Sequence, residues 1–307
     1  MIVYKSNKNW FRDIGHLAKS WTMVRIVRST IAIAVYTLIV VLLIEHFDLE
    51  DRVEMNTSAI GLLGVILSIF LGFRTNTAYD RWWEARKQWG ALVNNTRNFA
   101  IYVKTMFPRE DKETHRYFAK HISNFCLALA EHLREGVHVD KLIYLTDDDR
   151  KVYAEKNHIP NHISLQLYER LVVAHRQEEI SLGDYLNIKA QHQSLLDILG
   201  ACERIKKTPI PFSYAVYLKV FITLYSLLVP FALVSTLHLW TVLVVSLLFF
   251  ALLGIELMGE EIEDPFGLDC NDLPTSDMAH TIKQNVFEIL ESRHVPVDKK
   301  ELYEKIH

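Results

Sequence analysis

Cysteine is scarce: three in 307 residues, Cys126, Cys202 and Cys270, with no CxxC pair among them. Their wide spacing excludes a disulfide framework and a clustered thiolate metal site, and they read as reduced thiols facing the cytosol. Proline is also scarce, and none lies between Lys5 and Pro108, so a long uninterrupted helix is permitted there. The formal net charge of -3 comes with no Lys/Arg cluster interleaved with aromatics, so a nucleic-acid partner gains no support. HExxH, a glycine-rich phosphate loop, a serine nucleophile elbow and a catalytic cysteine motif are all missing, and an enzyme is not expected. No convincing repeat or low-complexity tract occurs.

What is present is apolar sequence gathered into long runs. Four segments approach the roughly 20 apolar residues that cross a bilayer core as helix. They cover about Ile26–Phe47, Thr57–Phe73, the stretch after Pro211 to about Thr236, and Leu239–Met258. The first has no small-x-small cleavage site after it and follows a charged, aromatic leader, so it reads as a retained span. Lys5, Lys8, Arg12, Lys19, Arg25 and Arg28 precede it. Arg74, Arg81, Arg86 and Lys87 follow the second, and Arg204, Lys206 and Lys207 precede the third. The loop between spans one and two instead holds Asp48, Glu50, Asp51 and Glu54 against Arg52. The positive-inside rule then places both termini and residues 74–211 in the cytosol of a multi-pass inner (plasma) membrane protein.

The expected organisation is a cytosolic segment 1–25, spans one and two in 26–73, a cytosolic helical region 74–211, spans three and four in 212–258, and a cytosolic tail 259–307. Span two is expected to continue as helix well into the cytosol. Further helices are expected at about 112–135, 164–178, 182–207 and 275–292, with a loop from about Thr146 to Asn161 around Asp147–Asp149 and Pro160. The fold class is an all-α membrane protein.

Span two carries two stripes at helical spacing. Gly61, Gly64, Ser68 and Gly72 would allow close helix approach. Leu62, Ile66 and Phe70 could line an apolar constriction or simply meet lipid or a neighbouring helix. After Phe73 come Arg74, Asn76, Asp80 and Arg81 beside Tyr79, Trp82, Trp83 and Trp89, a pattern that fits a membrane interface.

Three stretches carry a resemblance. FRTNTAYDRWWEARKQWG (Phe73–Gly90), LGACERIKKTPIPFSY (Leu199–Tyr214) and EDPFG (Glu263–Gly267) resemble motifs of the bacterial and plant branch of the bestrophin family. Arg74, Asn76, Asp80, Arg81, Trp82, Pro265, Phe266 and Gly267 are the motif positions. The resemblance implies a homopentamer around one axial pore lined by span two, with Leu62, Ile66 and Phe70 as a three-ring hydrophobic neck. The outermost ring, often Ile in the family, is Leu here. The resemblance also implies a second narrow ring at the cytosolic exit, for which Ile180 is the candidate; a buried anchor at a helix junction is the alternative for that residue. Calcium-gated animal members carry a dense acidic run after PFG. Here only Asp269 and Asp272 match it, with Leu268, Cys270 and Asn271 at the other positions, so few hard oxygen ligands remain for calcium. No other cofactor is expected.

Two further constellations have ordinary readings. Glu256, Glu260, Glu261, Glu263 and Asp264 cluster at the end of span four, where Glu256 could be functional within the membrane or a partner-paired acid. Lys219 could snorkel to the cytosolic interface. His158 and His162 have a four-residue interval, but Pro160 between them is expected to break the helix that would align them, and no catalytic metal is expected.

The expected function is passive flow of small monovalent ions through a pentameric channel. Animal bestrophins conduct chloride, whereas the acidic outer loop of this chain favours cations such as sodium or potassium. An ion-coupled transporter is the first alternative, weakened by spans one and two without proline breaks or central charges. A membrane-anchored helical scaffold is the second.

Overall fold

The computed structural model describes residues 21–53, 55–269 and 271–291, and the side chains of Glu50 and Asp51 are not described. Lys5, Lys8, Arg12, Lys19, Glu54 and Cys270 lie outside the described residues. The described residues form helices and turns without a strand. In chain order the helices are α1 (Trp21–His46), α2 (Glu50–Val53), α3 (Thr57–Met106), α4 (Lys112–His132), α5 (Asp147–Ala154), α6 (Ile159–Arg176), α7 (Leu182–Lys207), α8 (Phe212–Leu237), α9 (Trp240–Glu263) and α10 (Thr275–Glu291). A single 3-10 turn at Val139–Lys141 lies between α4 and α5.

Two compact units emerge. One gathers 21–82 with Pro209–Asp264, and the other gathers Trp83–Thr208 with 265–291. Helix α3 contributes to both as one uninterrupted 50-residue helix, as the lack of proline permits.

In the first unit, α1, α3, α8 and α9 are the helices long and apolar enough to cross a membrane. Helix α1 packs on α9 and α8, and α9 on α8. Ile60, Leu67 and Leu71 of α3 join Leu218, Ile222, Tyr225, Val229 and Ala232 of α8, with Val245 and Phe249 of α9, in one core. Pro230 sits inside α8 and has no N–H to return to the Ser226 carbonyl. Neighbouring carbonyls of α8 take donors from other elements: Leu227 from the Tyr36 hydroxyl at 3.1 Å, Phe231 from the Met55 N–H at 3.4 Å, and Ala232 from the Thr57 hydroxyl at 3.0 Å.

In the second unit α4 is the central helix. Phe118, Ile122, Phe125, Cys126 and Leu129 are buried, and its two flanks meet α6 and α10. Asp111 caps α4 by accepting the Thr114 N–H. The sequence-based expectation of a loop over 146–161 is corrected here. Thr146 and Asp149 form a reciprocal capping box, so the acidic run is the first turn of α5, where carboxylates suit the helix dipole. Pro160 opens α6 instead of breaking a helix, because the first turn has no use for its missing N–H.

His121 of α4 is buried, and its Nδ1 donates to the Tyr117 carbonyl at 2.7 Å. Burial pushes its imidazole down to about 4, against the smaller upward pull of that hydrogen bond. The unfolded chain gains a proton there near pH 6.5 and the folded chain only near 4. Stability is therefore complete above the unfolded value and falls with pH between the two, by on the order of 3 kcal/mol for this group. His121→Gln, which keeps a donor, should show a smaller drop in melting temperature than the wild type between about pH 7 and about pH 5. Parallel pH profiles would contradict this.

Candidate pore helix and its buried charge anchor

Within the membrane-type unit, α3 buries one side and leaves another open. Ile60, Leu67 and Leu71 are buried against α8, whereas Leu62, Ile66 and Phe70 are 62 %, 37 % and 37 % exposed. The open face continues toward the C-terminus. Phe73, Asn76 and Asp80 are exposed, and Asp80 stands about five turns after Leu62 on the same line. The glycine stripe divides. A Cβ on Gly64 would collide with the Tyr225 hydroxyl, so glycine here lets α3 meet α8 without displacing that ring. Gly61 and Gly72 meet nothing within 4 Å in the single chain.

Just beyond the apolar stripe, Arg74 turns inward and is 1 % exposed. Its Nη2 lies 2.6 Å from Glu263 Oε2, and its Nε lies 3.8 Å from Oε1 of Glu256, which is equally buried. The other oxygen of Glu263 accepts the Ile210 N–H at 2.7 Å, and its backbone carbonyl accepts from Arg81 Nε at 3.1 Å. One glutamate thereby joins residues from three separate stretches of sequence: Arg74 and Arg81 on α3, Ile210 before α8, and Glu263 ending α9. Around it, Lys219 pairs with Glu260 at 2.8 Å, and the Thr22 hydroxyl donates to Glu261 at 3.1 Å. The ion pairs make Glu256 and Glu260 partner-paired acids.

The rest of the EDPFG stretch belongs to the other unit. Phe266 is fully buried, and its carbonyl accepts from Arg134 Nε at 3.3 Å. Arg134 also donates to Ser276 Oγ at 2.8 Å and Thr275 Oγ1 at 3.0 Å, fastening the loop to the start of α10.

Residues 1–288 match the profile of the Bacterial/Fungal Bestrophin protein family. This chain is a bestrophin. It is similar to a voltage-dependent anion channel-forming protein of Nostoc sp., 34% identical over 288 residues that make up 92% of each chain. The protein YneE of Escherichia coli K12, of the same description, is 33% identical over 245 residues, 80% of each chain. A crystal structure of a bacterial bestrophin homologue from Klebsiella pneumoniae superposes with a TM-score of 0.82 at 27% identity, covering 88% of this chain and 100% of that one. With its four apolar helices, this bestrophin is a membrane protein.

The other candidate site residues lie apart from this anchor. Ile180 is only 5 % exposed. It follows a tight closure of α6, in which the Glu178 N–H bonds to the His175 carbonyl and the Glu179 N–H to Ala174, with Glu178 at φ +57°. Its burial beside this closure suits the anchoring alternative for Ile180 better than a side chain standing free at an aperture. The exposed apolar residues nearby are Leu182 and Leu186. Asp272 is buried and its Oδ2 accepts the Asp269 N–H at 2.7 Å, closing their own turn, while Asp269 is exposed. Sequence reasoning missed Glu263 as the partner of Arg74. The available signal was opposite charge at the C-terminal ends of the second and fourth apolar runs.

Replacing Arg74 by Met leaves the buried Glu256 and the half-buried Glu263 without that cation. The expected cost is about 3–5 kcal/mol, read as a lower melting temperature in detergent. Adding Glu263→Gln should recover part of it, and an unchanged melting temperature in Arg74→Met would refute the anchor.

Proposed function

We propose that this bestrophin is one subunit of a homopentameric ion channel in the inner membrane, with α3 lining the pore and both termini in the cytosol. The observation that carries this reading is the open stripe of Leu62, Ile66 and Phe70 on a helix whose opposite side is already packed on α8. Five copies would place three rings of bulky hydrocarbon around the axis, a neck that restricts ions by dewetting until it widens. Arg74, held by Glu263, sets the rotation of α3 that keeps those residues facing the axis.

For the permeant ion, the relatives' description as anion channel-forming proteins favours monovalent anions such as chloride. A second reading, cation flow, rests on this chain's own acids. Asp48 is exposed in the loop after α1, and Asp80 is exposed on the line of Leu62, so fivefold repetition would set negative rings at both ends of the apolar neck.

Purified protein in planar bilayers tests both points. Ile66→Ala and Phe70→Ala should each raise conductance, and unchanged currents in both would remove the neck assignment. Under asymmetric NaCl, a reversal potential toward the chloride equilibrium value supports anions, and one toward sodium supports cations. Native mass spectrometry should find five subunits, and any other number would sink the pentamer.

A further inference from the structure

The cytosolic-type unit holds a second cluster that the channel reading does not use. His132 is the last residue of α4, His158 caps the N-terminus of α6, and Glu203 lies near the end of α7. The Nε2 atoms of His132 and His158 lie 2.6 Å and 2.8 Å from the same oxygen, Glu203 Oε1. The two imidazole rings are close neighbours, with centroids 4.4 Å apart. One ligand atom from each residue lies within 4.8 Å of the other two. We propose that His132, His158 and Glu203 bind a divalent transition-metal ion of the zinc class, with water completing its coordination.

The chemistry of the donor set supports this class. Imidazole suits zinc and its neighbours in the first transition row, whereas calcium and magnesium want an all-oxygen shell. Two histidines and one glutamate with a solvent position form a recurrent zinc set. All three side chains are half-buried, which leaves a path for the ion and its water. A tetrahedral ion with ligands at about 2.0–2.1 Å separates them by about 3.3 Å. The imidazoles would therefore draw back from Glu203 by about 0.5–0.7 Å, within the reach of side-chain torsions. Lys207 stands as a nearby positive charge that the ion must overcome. Binding would tie the end of α4 to the start of α6 and the end of α7.

His158 also has a structural task that the metal would interrupt. Its Nδ1 accepts the Asn161 N–H at 3.2 Å, capping α6. A neutral imidazole bound through Nε2 carries its proton on Nδ1, so this capping bond gives way when the ion binds. Asparagine is a strong N-cap residue, so His158→Asn keeps the cap and loses the ligand.

The test uses full-length, tag-free protein in detergent, stripped with chelator and titrated with ZnCl2 by calorimetry, with metal content measured by mass spectrometry. The wild type should bind one zinc per chain at this site and melt at a higher temperature with zinc than without. His158→Asn and Glu203→Gln should each weaken that binding by more than the roughly 10–100-fold typical of losing an outer-shell partner, and should abolish the zinc-dependent melting shift. Metal-free His158→Asn should stay folded, melting below the wild type only by the modest loss of its hydrogen bond to Glu203. His280→Gln, an exposed histidine on α10, should bind as the wild type does. Absence of zinc binding by the wild type would overturn the site, as would equal binding by His158→Asn and Glu203→Gln. Should His158→Asn fail to fold, Glu203→Gln and the wild type decide the matter.

Discussion

The arrangement of the membrane-type unit depends on one half-buried carboxylate paired with a buried arginine. Glu263 ends α9, holds the guanidinium of Arg74 on α3, and accepts the N–H that precedes α8. Taking an arginine and two glutamates out of water is expensive, and the expense is tolerable only while each charge keeps its partner. That makes the interaction poor as a source of net stability and strict as a determinant of register. Apolar spans slide and rotate against each other at little cost, because one hydrocarbon contact resembles the next. An ion pair 2.6 Å long does not permit such slippage.

The hydrophobic stripe acquires meaning only from that register. Leu62, Ile66 and Phe70 differ little in chemistry from Ile60, Leu67 and Leu71, yet one set is open and the other is packed on α8. Polarity increases abruptly along the open side, from Phe70 and Phe73 to Asn76 and Asp80, over about three turns. The same backbone thus presents hydrocarbon and then hydrogen-bonding groups along one line, while its charged anchor points the other way.

How much of this was legible in the sequence follows from what each signal encodes. The four spans were visible because long apolar runs have few other uses, and the continuation of α3 because no proline interrupts it. Helix α5 was obscured by reading Asp147–Asp149 as a solvated loop, although Thr146 with Asp149 is a start signal. Pro160 was read as a breaker when its position just after a capping residue makes it an opener. Helical spacing revealed that span two has distinct faces, but it cannot say which face meets a neighbour. Ile180 shows the same limit: an aliphatic residue among polar ones could project or anchor, and sequence gives no sign of its burial beside the closure of α6. The convergence of His132, His158 and Glu203 was invisible, since the residues are far apart in sequence and share no motif.

The contact between Gly64 and Tyr225 bears on how a constriction along α3 could change its width. A phenol ring already occupies the place where a side chain of α3 would stand, so retreat of this helix into α8 at that level requires the Tyr225 ring to move first. A side-chain swing of Ile66 or Phe70, or a twist of α3 about its own long axis, would leave that ring in place.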